Sequence, residues 1–383
     1  MAVARAAWGI DVGHSALKAL RLCIVEDGIA LDALEVIEHP QVLSEPGADR
    51  DALAGETLRR LMARVSLADC HVAVSVSGLA SYSWFGHLPP IEGGAIPHLI
   101  HYEAEQQIPY PIEEAVWRWQ TFRDPDQPDE PDVDAGVFAV PRAAVGRWLL
   151  LFSQAGINVD TMQTAPLALY NFAEFEGHFA EEGATMVVDA GAGEVDVVIA
   201  DGRRIWTRAI GPGGDRLTEV VAREAKLTFD QAERRKRALS DSPEDRRVAS
   251  ALGPVAEALA AQVRGAFEQY AGQYAASELR RVVAAGNAFC QPALAEALGK
   301  ALGVPVVRVE QFRRLAPSTV AEEPRFAEHV PALAVAYGLA LQELDLGTIH
   351  VDFRPPGIAR QWGWRKAGPL AGLRRFIGRV LRR

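Results

Sequence analysis

Cysteine is scarce in this sequence, and its placement excludes two classes of protein. The 383 residues include three cysteines, which stand far apart at Cys23, Cys70 and Cys290. Such separated thiols do not form the framework of a disulfide-rich secreted domain, and neither they nor the nine histidines show the short spacing of a metal site. We therefore expect buried thiols in a reducing compartment and histidines that are structural or at the surface.

Long apolar runs are also missing from the sequence. The longest, PALAVAYGLAL, falls far short of the ~20 residues that a membrane-spanning helix needs. The N-terminal residues MAVARAAWGI contain no apolar stretch of signal-peptide length. Both observations predict a protein that is made and kept in the cytoplasm.

The net charge of −10 is unevenly distributed along the chain. Residues 354–383 contain nine Arg or Lys and no Asp or Glu, so the remainder holds 31 basic against 50 acidic residues. An acidic body argues against nucleic-acid binding. Because 49% of the residues are apolar, a chain of this length can build two or more domains with sizeable cores.

The basic C-terminal tail has an amphipathic helical pattern at residues 369–383. Its apolar residues fall on one stripe and its arginines on the other faces, with Trp362 and Trp364 just upstream. This composition is typical of a segment that lies on an anionic membrane surface. A terminal helix that docks on the body, or on a second subunit in self-association, explains the pattern equally well.

An internal repeat carries the strongest chemical signal. Residues 8–31 and 187–210 both run as an apolar strand, an Asp-x-Gly turn, a second strand, an Asp-Gly turn and a third strand. Glycines let backbone N–H groups approach a phosphate, and a neighbouring aspartate can hold the Mg²⁺ that accompanies it. A single such turn is ordinarily a plain hairpin, whereas two facing copies predict a grip on the phosphates of a nucleotide.

The motifs around these turns resemble a known superfamily. The segments WGIDVGHSALKAL and MVVDAGAGEVDVVI resemble the two phosphate motifs of the actin, heat-shock chaperone and sugar-kinase superfamily. The segment RRVVAAGNAF resembles the adenosine loop of the same superfamily. Residues 102–122, YEAEQQIPYPIEEAVWRWQTF, resemble the PilM family, actin-like proteins of type IV pili and related secretion machines. FtsA is a related protein of the same superfamily. The resemblance covers roughly residues 7–346. It implies an α/β, two-domain actin-like (ribonuclease H-like) fold with an FtsA/PilM-type inserted subdomain in domain one.

The same resemblance implies domain boundaries. An acidic helix near 96–107 and a polar, proline-rich loop at DPDQPDEPDVD are expected within the inserted subdomain. The expected segments are the first part of domain one at 1–88, the inserted subdomain at 89–164, a connecting helix of domain one at 165–182, domain two at 183–345 with a small subdomain near 224–250, and the tail at 346–383.

The resemblance assigns ATP and Mg²⁺ as cofactors and gives roles to individual residues. Asp11 and Asp189 are expected to hold Mg²⁺, most simply through water, whereas Glu233 and Lys236 share a helix face that would contact ribose and adenine. Backbone groups would contact the phosphates at Gly13, His14, Ser15, Gly191, Ala192 and Gly193, the nucleotide at Gly213 and Gly214, and adenine at Gly286 and Asn287. Lys18 is a secondary candidate, because a strand side chain can equally face solvent. Capping carboxylates, ordinary turns and a solvated charged helix are the structural alternatives.

Departures from the family motifs argue against rapid turnover. Glu194 stands where relatives carry a hydroxyl or a small residue, and a carboxylate there repels a terminal phosphate unless it turns away or meets the metal. Gln163 and Thr164 lie near the place where active relatives carry the residue that orients water, which phosphoryl transfer requires. We expect ATP binding with at most slow hydrolysis, and we assign no catalytic residue.

The resemblance further implies a cytoplasmic scaffold, peripheral to the inner membrane, for a pilus or a type II secretion-like system. Its cleft between domain one and the inserted subdomain would take the N-terminal peptide of a PilN-like membrane protein. Residues 349–356, IHVDFRPP, resemble that Asn-Leu-Leu-Pro-type peptide. The resemblance suggests that this segment occupies a groove in its own or a neighbouring chain, although an extended linker imposed by two prolines is the simpler expectation. A membrane-tethered, FtsA-like filament former is the alternative function.

Overall fold

A computed structural model describes residues 5–89, 95–122, 133–202, 204–239, 242–274 and 277–355. The strands are β1 (Ala6–Val12), β2 (Ala16–Val25), β3 (Gly28–Glu38), β4 (His71–Val76), β5 (Tyr82–Leu88), β6 (Ala115–Phe122), β7 (Val133–Pro141), β8 (Thr161–Thr164), β9 (Ala184–Ala190), β10 (Val195–Asp201), β11 (Arg204–Ile210), β12 (Leu279–Ala285), β13 (Val306–Arg308) and β14 (Leu315–Ala316). The helices are α1 (Arg50–Met62), α2 (Ile96–Gln107), α3 (Arg142–Gln154), α4 (Ala165–Phe175), α5 (Asp215–Ala225), α6 (Phe229–Arg237), α7 (Pro243–Gln273), α8 (Pro292–Leu302), α9 (Pro324–His329) and α10 (Ala334–Glu343).

Two sheets repeat one topology. The first has the order β14-β3-β2-β1-β4-β8 and the second the order β11-β10-β9-β12-β13. In each, an antiparallel meander of three strands continues into a parallel strand, β4 beside β1 and β12 beside β9. Strands β1 and β9, each of which has a parallel neighbour, are covered on both faces. This burial explains why nearly all of their residues are apolar. The sequence repeat is therefore a repeat of supersecondary structure.

Two apolar helices cross between these sheets. Helix α4 packs on β9, β10 and β11, whereas α10 packs on β1, β2 and β4, and both helices are buried almost all round. Glycine permits the close approach, because a Cβ atom at Gly338 would lie 1.8 Å from the carbonyl oxygen of Ala168. This crossing holds the two turns of the repeat on the same side of the molecule.

The inserted subdomain is a three-stranded sheet, β5-β7-β6, covered by α2. Helix α2 has the expected bounds, but the expected limits of 89 and 164 both fall too late. The sheet already begins at β5, whereas β8 pairs with β4 in the first sheet and α3 packs into the core of domain one. Strand periodicity alone does not reveal this, because only the pairing partner decides which sheet a strand joins.

Domain two carries a small helical cluster formed by α5, α6 and the start of α7. Its core contains Leu217, Val221 and Val248, so it begins about ten residues before the expected 224. Helix α6 starts with a capping box in which Thr228 and Gln231 bond each other's backbone, which fixes its direction. The connecting helix α4 is shorter than the expected 165–182, since it ends at Phe175.

Some expectations concern residues that the structure does not describe. Most of the acidic, proline-rich loop and the amphipathic stretch at 369–383, with Trp362 and Trp364, lie outside the described residues. Among the residues that are described, no helix combines the length and apolar character needed to cross a membrane.

Candidate functional site

The site is built from the two equivalent hairpins. Asp11 lies near the end of β1 and pairs in register with Lys18 on β2, and Asp189 near the end of β9 pairs in the same way with Asp196 on β10. The turns close alike, because the N–H of Gly13 donates to Ala16 O and the N–H of Gly191 donates to Glu194 O. The shared Asp-x-Gly pattern has therefore produced the same turn geometry twice, with aspartates at matching positions.

The turns face each other across a cavity of about 350 Å³. Most of the predicted residues line it: Asp11, Gly13, His14, Ser15, Lys18, Asp189, Gly191, Ala192, Gly193, Gly286 and Asn287. The tips nearly touch, since a Cβ atom at Gly193 would lie 2.4 Å from Nδ1 of His14. The structure thus brings together residues that are widely separated in the chain.

Not every predicted backbone donor is available for a phosphate. The N–H groups of Gly13 and Gly191 are used inside their own turns. The N–H groups at the turn tips, those of His14, Ser15, Ala192 and Gly193, have no acceptor among the described residues. We therefore narrow the predicted donors to the turn tips, where backbone amides form a nest.

Charge in the cavity is balanced by Lys18, which is not the solvent-facing strand residue allowed for above. Its Nζ lies 2.5 Å from Oδ2 of Asp11, whose Oδ1 accepts a hydrogen bond from Ser75 Oγ at 2.7 Å. Although burial alone disfavours its charge, Asp11 keeps the pKa of Lys18 above its ordinary value. Burial also raises the pKa of Asp189 to about 7, against the opposing effect of Lys18.

Asp196 is a site residue that sequence reasoning missed. It is 4% exposed, its Oδ1 has no hydrogen-bond partner among the described residues, and a Cβ atom at Gly78 would lie 2.0 Å from that oxygen. Burial and the nearby Glu194 and Asp189 raise its pKa well above the usual range. The signal was present in the repeat, because Asp196 occupies the place that Lys18 has in the first hairpin.

Glu194 turns away from the turn tips. Its Oε2 accepts hydrogen bonds from Ser77 Oγ at 2.5 Å and from the N–H of Leu79 at 3.2 Å. Ser77 follows β4 of domain one, so these bonds tie domain two to domain one across the mouth of the cavity. The carboxylate that departs from the family motif therefore serves as an interdomain contact.

Glu233 and Lys236 lie beside the cavity and do not line it. They pair at 2.6 Å, both bond Thr218, and Lys236 Nζ donates to the carbonyl of Gly214 at 3.3 Å. At 8% and 5% exposure they are buried, so the alternative of a solvated charged face is wrong. Burial alone would raise the pKa of Glu233, but Lys236 lowers it below the ordinary value.

Gly213 and Gly214 connect this pair to the second phosphate turn. The N–H of Gly214 donates to Gly191 O at 2.9 Å, and a Cβ atom at Gly213 would lie 2.6 Å from the same carbonyl oxygen. These glycines therefore lie behind the turn, between it and the Glu233–Lys236 pair. Their contact with a nucleotide stays a prediction.

Gln163 does not point into the cavity. Its Nε2 donates to Gln342 Oε1 and, at 3.2 Å, to the carbonyl of Ile349. Thr164 is buried and also lies outside the cavity lining. Neither residue is in a position to orient water at the phosphate turns.

The segment Thr348–Arg354 is docked, so the extended-linker expectation for 349–356 is wrong over the residues that the structure describes. It lies between β6 of the inserted subdomain and domain one, and Ile349, Val351 and Phe353 are at most 2% exposed. Arg118 donates from β6 to the carbonyls of Asp352 and Arg354. We call the surface beneath the segment, contributed by β6, β8, α4 and α10, the tail groove.

The cavity suits a magnesium nucleotide by its donor set. A buried carboxylate oxygen of Asp196 without a partner, two further aspartates and free turn-tip amides combine cation ligands with phosphate donors. Among the described residues, no group of three His, Cys, Asp or Glu side chains is placed to hold a metal by itself. Mg²⁺ usually keeps several waters and takes phosphate oxygens as ligands. A site with few protein ligands is therefore compatible with this ion.

The comparison with a solved type IV pilus complex agrees with this architecture. The chain is similar to a chain of the PilM-PilN type IV pilus biogenesis complex, at 26% identity and TM-score 0.74, over 88% of this chain and 98% of that one. It is also similar to ethanolamine utilization protein EutJ from Carboxydothermus hydrogenoformans, at 19% identity and TM-score 0.47, over 88% and 89%. The expected two-domain, actin-like α/β fold with an inserted subdomain is confirmed. Because residues 9–344 match the family described as type IV pilus assembly protein PilM, the chain belongs to the PilM family.

Proposed function

We propose that this protein is an ATP-binding, cytoplasmic scaffold of a type IV pilus or type II secretion-like assembly platform. In this proposal it is held at the inner membrane by the cytoplasmic peptide of a PilN-like membrane protein. Family membership and the likeness to a PilM chain solved with PilN support the platform and the partner. The observation that carries nucleotide binding is the pair of opposed Asp-x-Gly turns around one cavity.

The residues of the cavity divide the work of binding. Asp11 and Asp189, with Asp196 behind them, would hold Mg²⁺ through its waters, and the turn-tip amides would hold the phosphates. The metal supplies charge neutralisation when it is bound. Glu233 and Lys236 lie next to the second turn, where they would support the sugar and base with Gly286 and Asn287 at the adenine.

Binding is better supported than hydrolysis. Gln163 and Thr164 lie outside the cavity, and Glu194 is engaged with Ser77 and the backbone of Leu79. Phosphoryl transfer needs a residue that positions the attacking water, and these candidates are occupied elsewhere. We therefore propose a structural role for the nucleotide, which holds the two domains at one relative angle, with at most slow turnover.

Calorimetric titration of ATP with Mg²⁺ tests the proposal. We expect Asp189→Asn to weaken Mg²⁺-dependent ATP binding by about tenfold or more, because one of the carboxylates that would hold the hydrated ion is lost. Asp27→Asn is the matched control, since Asp27 belongs to an exposed Asp-Gly turn and does not line the cavity. Without ligand, Asp189→Asn should melt at least as high as wild type, because Asp189 is a buried carboxylate among like charges, and Asp27→Asn should melt as wild type.

Two results would contradict the proposal. One is the absence of measurable heat with wild-type protein at millimolar ATP and Mg²⁺. The other is equal affinity in wild type and Asp189→Asn, which would place the nucleotide elsewhere. Rapid phosphate release that is lost in Asp11→Ala would overturn the structural role and leave binding intact.

A further inference from the structure

The tail groove recognises the backbone of the segment that fills it. On one side, Gln120 donates to Thr348 O at 2.7 Å and accepts from His350 N at 2.8 Å. Arg118 donates to the carbonyls of Asp352 and Arg354, each at 2.6 Å. Both side chains come from β6 of the inserted subdomain.

Domain one reads the other side of the same backbone. Asn171 on α4 accepts from Ile349 N at 2.8 Å and donates to Ile349 O at 2.9 Å. Gln342 on α10 donates to Val351 O at 2.8 Å, and Gln163 on β8 donates to Ile349 O at 3.2 Å. Amide and guanidinium groups from four elements thus bond main-chain atoms of one extended segment.

The apolar side chains of the segment stand at alternate positions and enter the groove. Ile349, Val351 and Phe353 are buried in the core of domain one, whereas His350 is exposed. Arg354 pairs with Asp352 at 2.9 Å and donates to the carbonyl of Val159. The groove therefore selects an extended peptide with apolar residues at alternate positions.

The hydrogen bonds of this segment resemble those of a bound peptide more than those of a strand within a sheet. Most hydrogen bonds of a folded backbone join it to other backbone groups. Among the described residues, one bond joins the backbone of Thr348–Arg354 to another backbone, from Phe353 N to Met162 O at 2.8 Å. Side-chain recognition of main-chain groups, with pockets for alternate residues, is how grooves bind extended peptides.

The extent of the family adds an independent observation. The match to the PilM family ends at residue 344 and includes every groove residue named here, from Arg118 to Gln342. The segment that fills the groove begins after that limit. The groove residues therefore lie within the matched part of the chain, and the segment that fills the groove follows it.

We propose that Thr348–Arg354 is a built-in competitor that fills the peptide site of this protein in cis. An extended peptide of another polypeptide, with apolar residues at alternate positions, binds only when the segment has left. This inference rests on the proposed function, in which the same groove takes the membrane partner's peptide, and adds its regulation. Occupancy in cis lowers the apparent affinity for the partner by the fraction of molecules in which the groove is open.

Fluorescence anisotropy with two labelled peptides tests this in the full-length protein. One peptide is the chain's own sequence GTIHVDFRPP, and the other is GTIHVNLLPP, which carries the partner-type motif. Val351→Asn places an amide in the buried position of the segment, and we expect both peptides to bind this variant about tenfold or more tightly than wild type. His350→Asn is the matched control at the exposed neighbouring position and should behave as wild type. Adding Arg118→Ala to Val351→Asn removes two groove donors and should abolish the gain.

The outcomes separate this inference from the proposed function. Equal affinity of both peptides for wild type and a folded Val351→Asn would overturn the competitor and leave peptide binding standing. If GTIHVDFRPP binds the opened groove and GTIHVNLLPP does not, the competitor is supported and the partner assignment fails. If neither peptide binds a folded Val351→Asn, both fail.

Hydrogen exchange in the wild-type protein provides a test that needs no variant. We expect the amides of Ile349, His350 and Phe353 to exchange through a local opening, about tenfold or more faster than those of β9. Exchange of these amides only at the rate of global unfolding would show that the segment is a fixed part of the fold, and would overturn the proposal.

Discussion

At the residue scale, the cavity depends on the balance between Lys18 and the carboxylates around it. Lys18 contacts Asp11 directly, and its charge also opposes the raised pKa values of Asp189 and Asp196. Like charges at such short range are tolerated only with a cation among them. In the proposed function, the same arrangement that costs folding energy would favour the binding of a divalent ion.

Removal of this lysine is therefore expected to destabilise the ligand-free protein. Lys18→Met leaves Asp11 without its cation, and breaking such a pair typically costs about 3–5 kcal/mol. Urea denaturation at pH 7 should show a loss of that order. The double variant Lys18→Met/Asp11→Asn should recover most of it, whereas an unchanged free energy of unfolding in the single variant would contradict the pairing.

At the element scale, the crossing of α4 and α10 sets how the two hairpins meet. Helix α10 packs on the first sheet, whereas α4 packs on the second sheet and also contacts β4 and β8 of the first, and the two helices touch through backbone where Gly338 meets Ala168. A larger residue at position 338 forces the helices apart, and we therefore expect the Asp11 and Asp189 turns to shift relative to each other. Helix contact and cavity geometry are therefore linked.

Substitution of helix glycines tests this link. Gly338→Ala should lower the free energy of unfolding by roughly 3 kcal/mol and weaken ATP binding, because its Cβ would lie 1.8 Å from the carbonyl oxygen of Ala168. Gly265→Ala on α7 meets nothing within 4 Å and should stabilise by about 0.5–1 kcal/mol. Thermal and urea melts of the pair distinguish crowding from helix propensity, and similar effects of both substitutions would contradict the close crossing.

At the scale of the whole molecule, two buried histidines connect stability to pH. The Nε2–H of His39 donates to the carbonyl of Gly13 at 2.9 Å, while its Nδ1 contacts the Thr57 hydroxyl at 2.7 Å. His178 lies in the core with its Nε2 unbonded among the described residues. Burial lowers the pKa of each to about 4. Both imidazoles are therefore neutral in the folded protein at pH 7.

The sign of the pH dependence follows from these shifts. Between pH 6.5 and about 4 these histidines bind protons in the unfolded chain but not in the folded protein. Their contribution to the free energy of unfolding is therefore complete above pH 6.5 and is lost as the pH falls. Each contributes up to about 3 kcal/mol. Asp189, with its pKa raised to about 7, opposes this trend over the same window, because its stability contribution is lost as the pH rises.

Chemical denaturation at pH 5 and pH 7 checks the histidine contribution. His178→Gln should flatten the dependence of unfolding free energy on pH by up to about 1.4 kcal/mol per pH unit relative to wild type. His101→Gln, at an exposed position of α2, is the control and should keep the wild-type slope. A slope unchanged by His178→Gln would mean that this histidine is not buried as a neutral ring.

Patterns along the chain are enough to predict the local parts of this protein. The two Asp-x-Gly turns, their strands and helix α2 follow from residues that are neighbours in the chain, so periodicity and turn chemistry predict them. For that reason the amino-acid pattern alone predicts Asp11, Asp189 and the turn glycines as a group, and the structure places them around one cavity, while their contact with a nucleotide stays a prediction. Equal motifs also gave equal hairpins, down to the bond that closes each turn.

Contacts between residues that are distant in the chain, in contrast, depend on how the elements pack together. The role of Asp196, the outward turn of Glu194 toward Ser77, and the burial of the Glu233–Lys236 pair all depend on elements that meet across the domains. The docking of Thr348–Arg354 is the clearest case. Its two prolines predict an extended chain, and an extended chain becomes a linker or a buried ligand according to the groove that other elements build beside it.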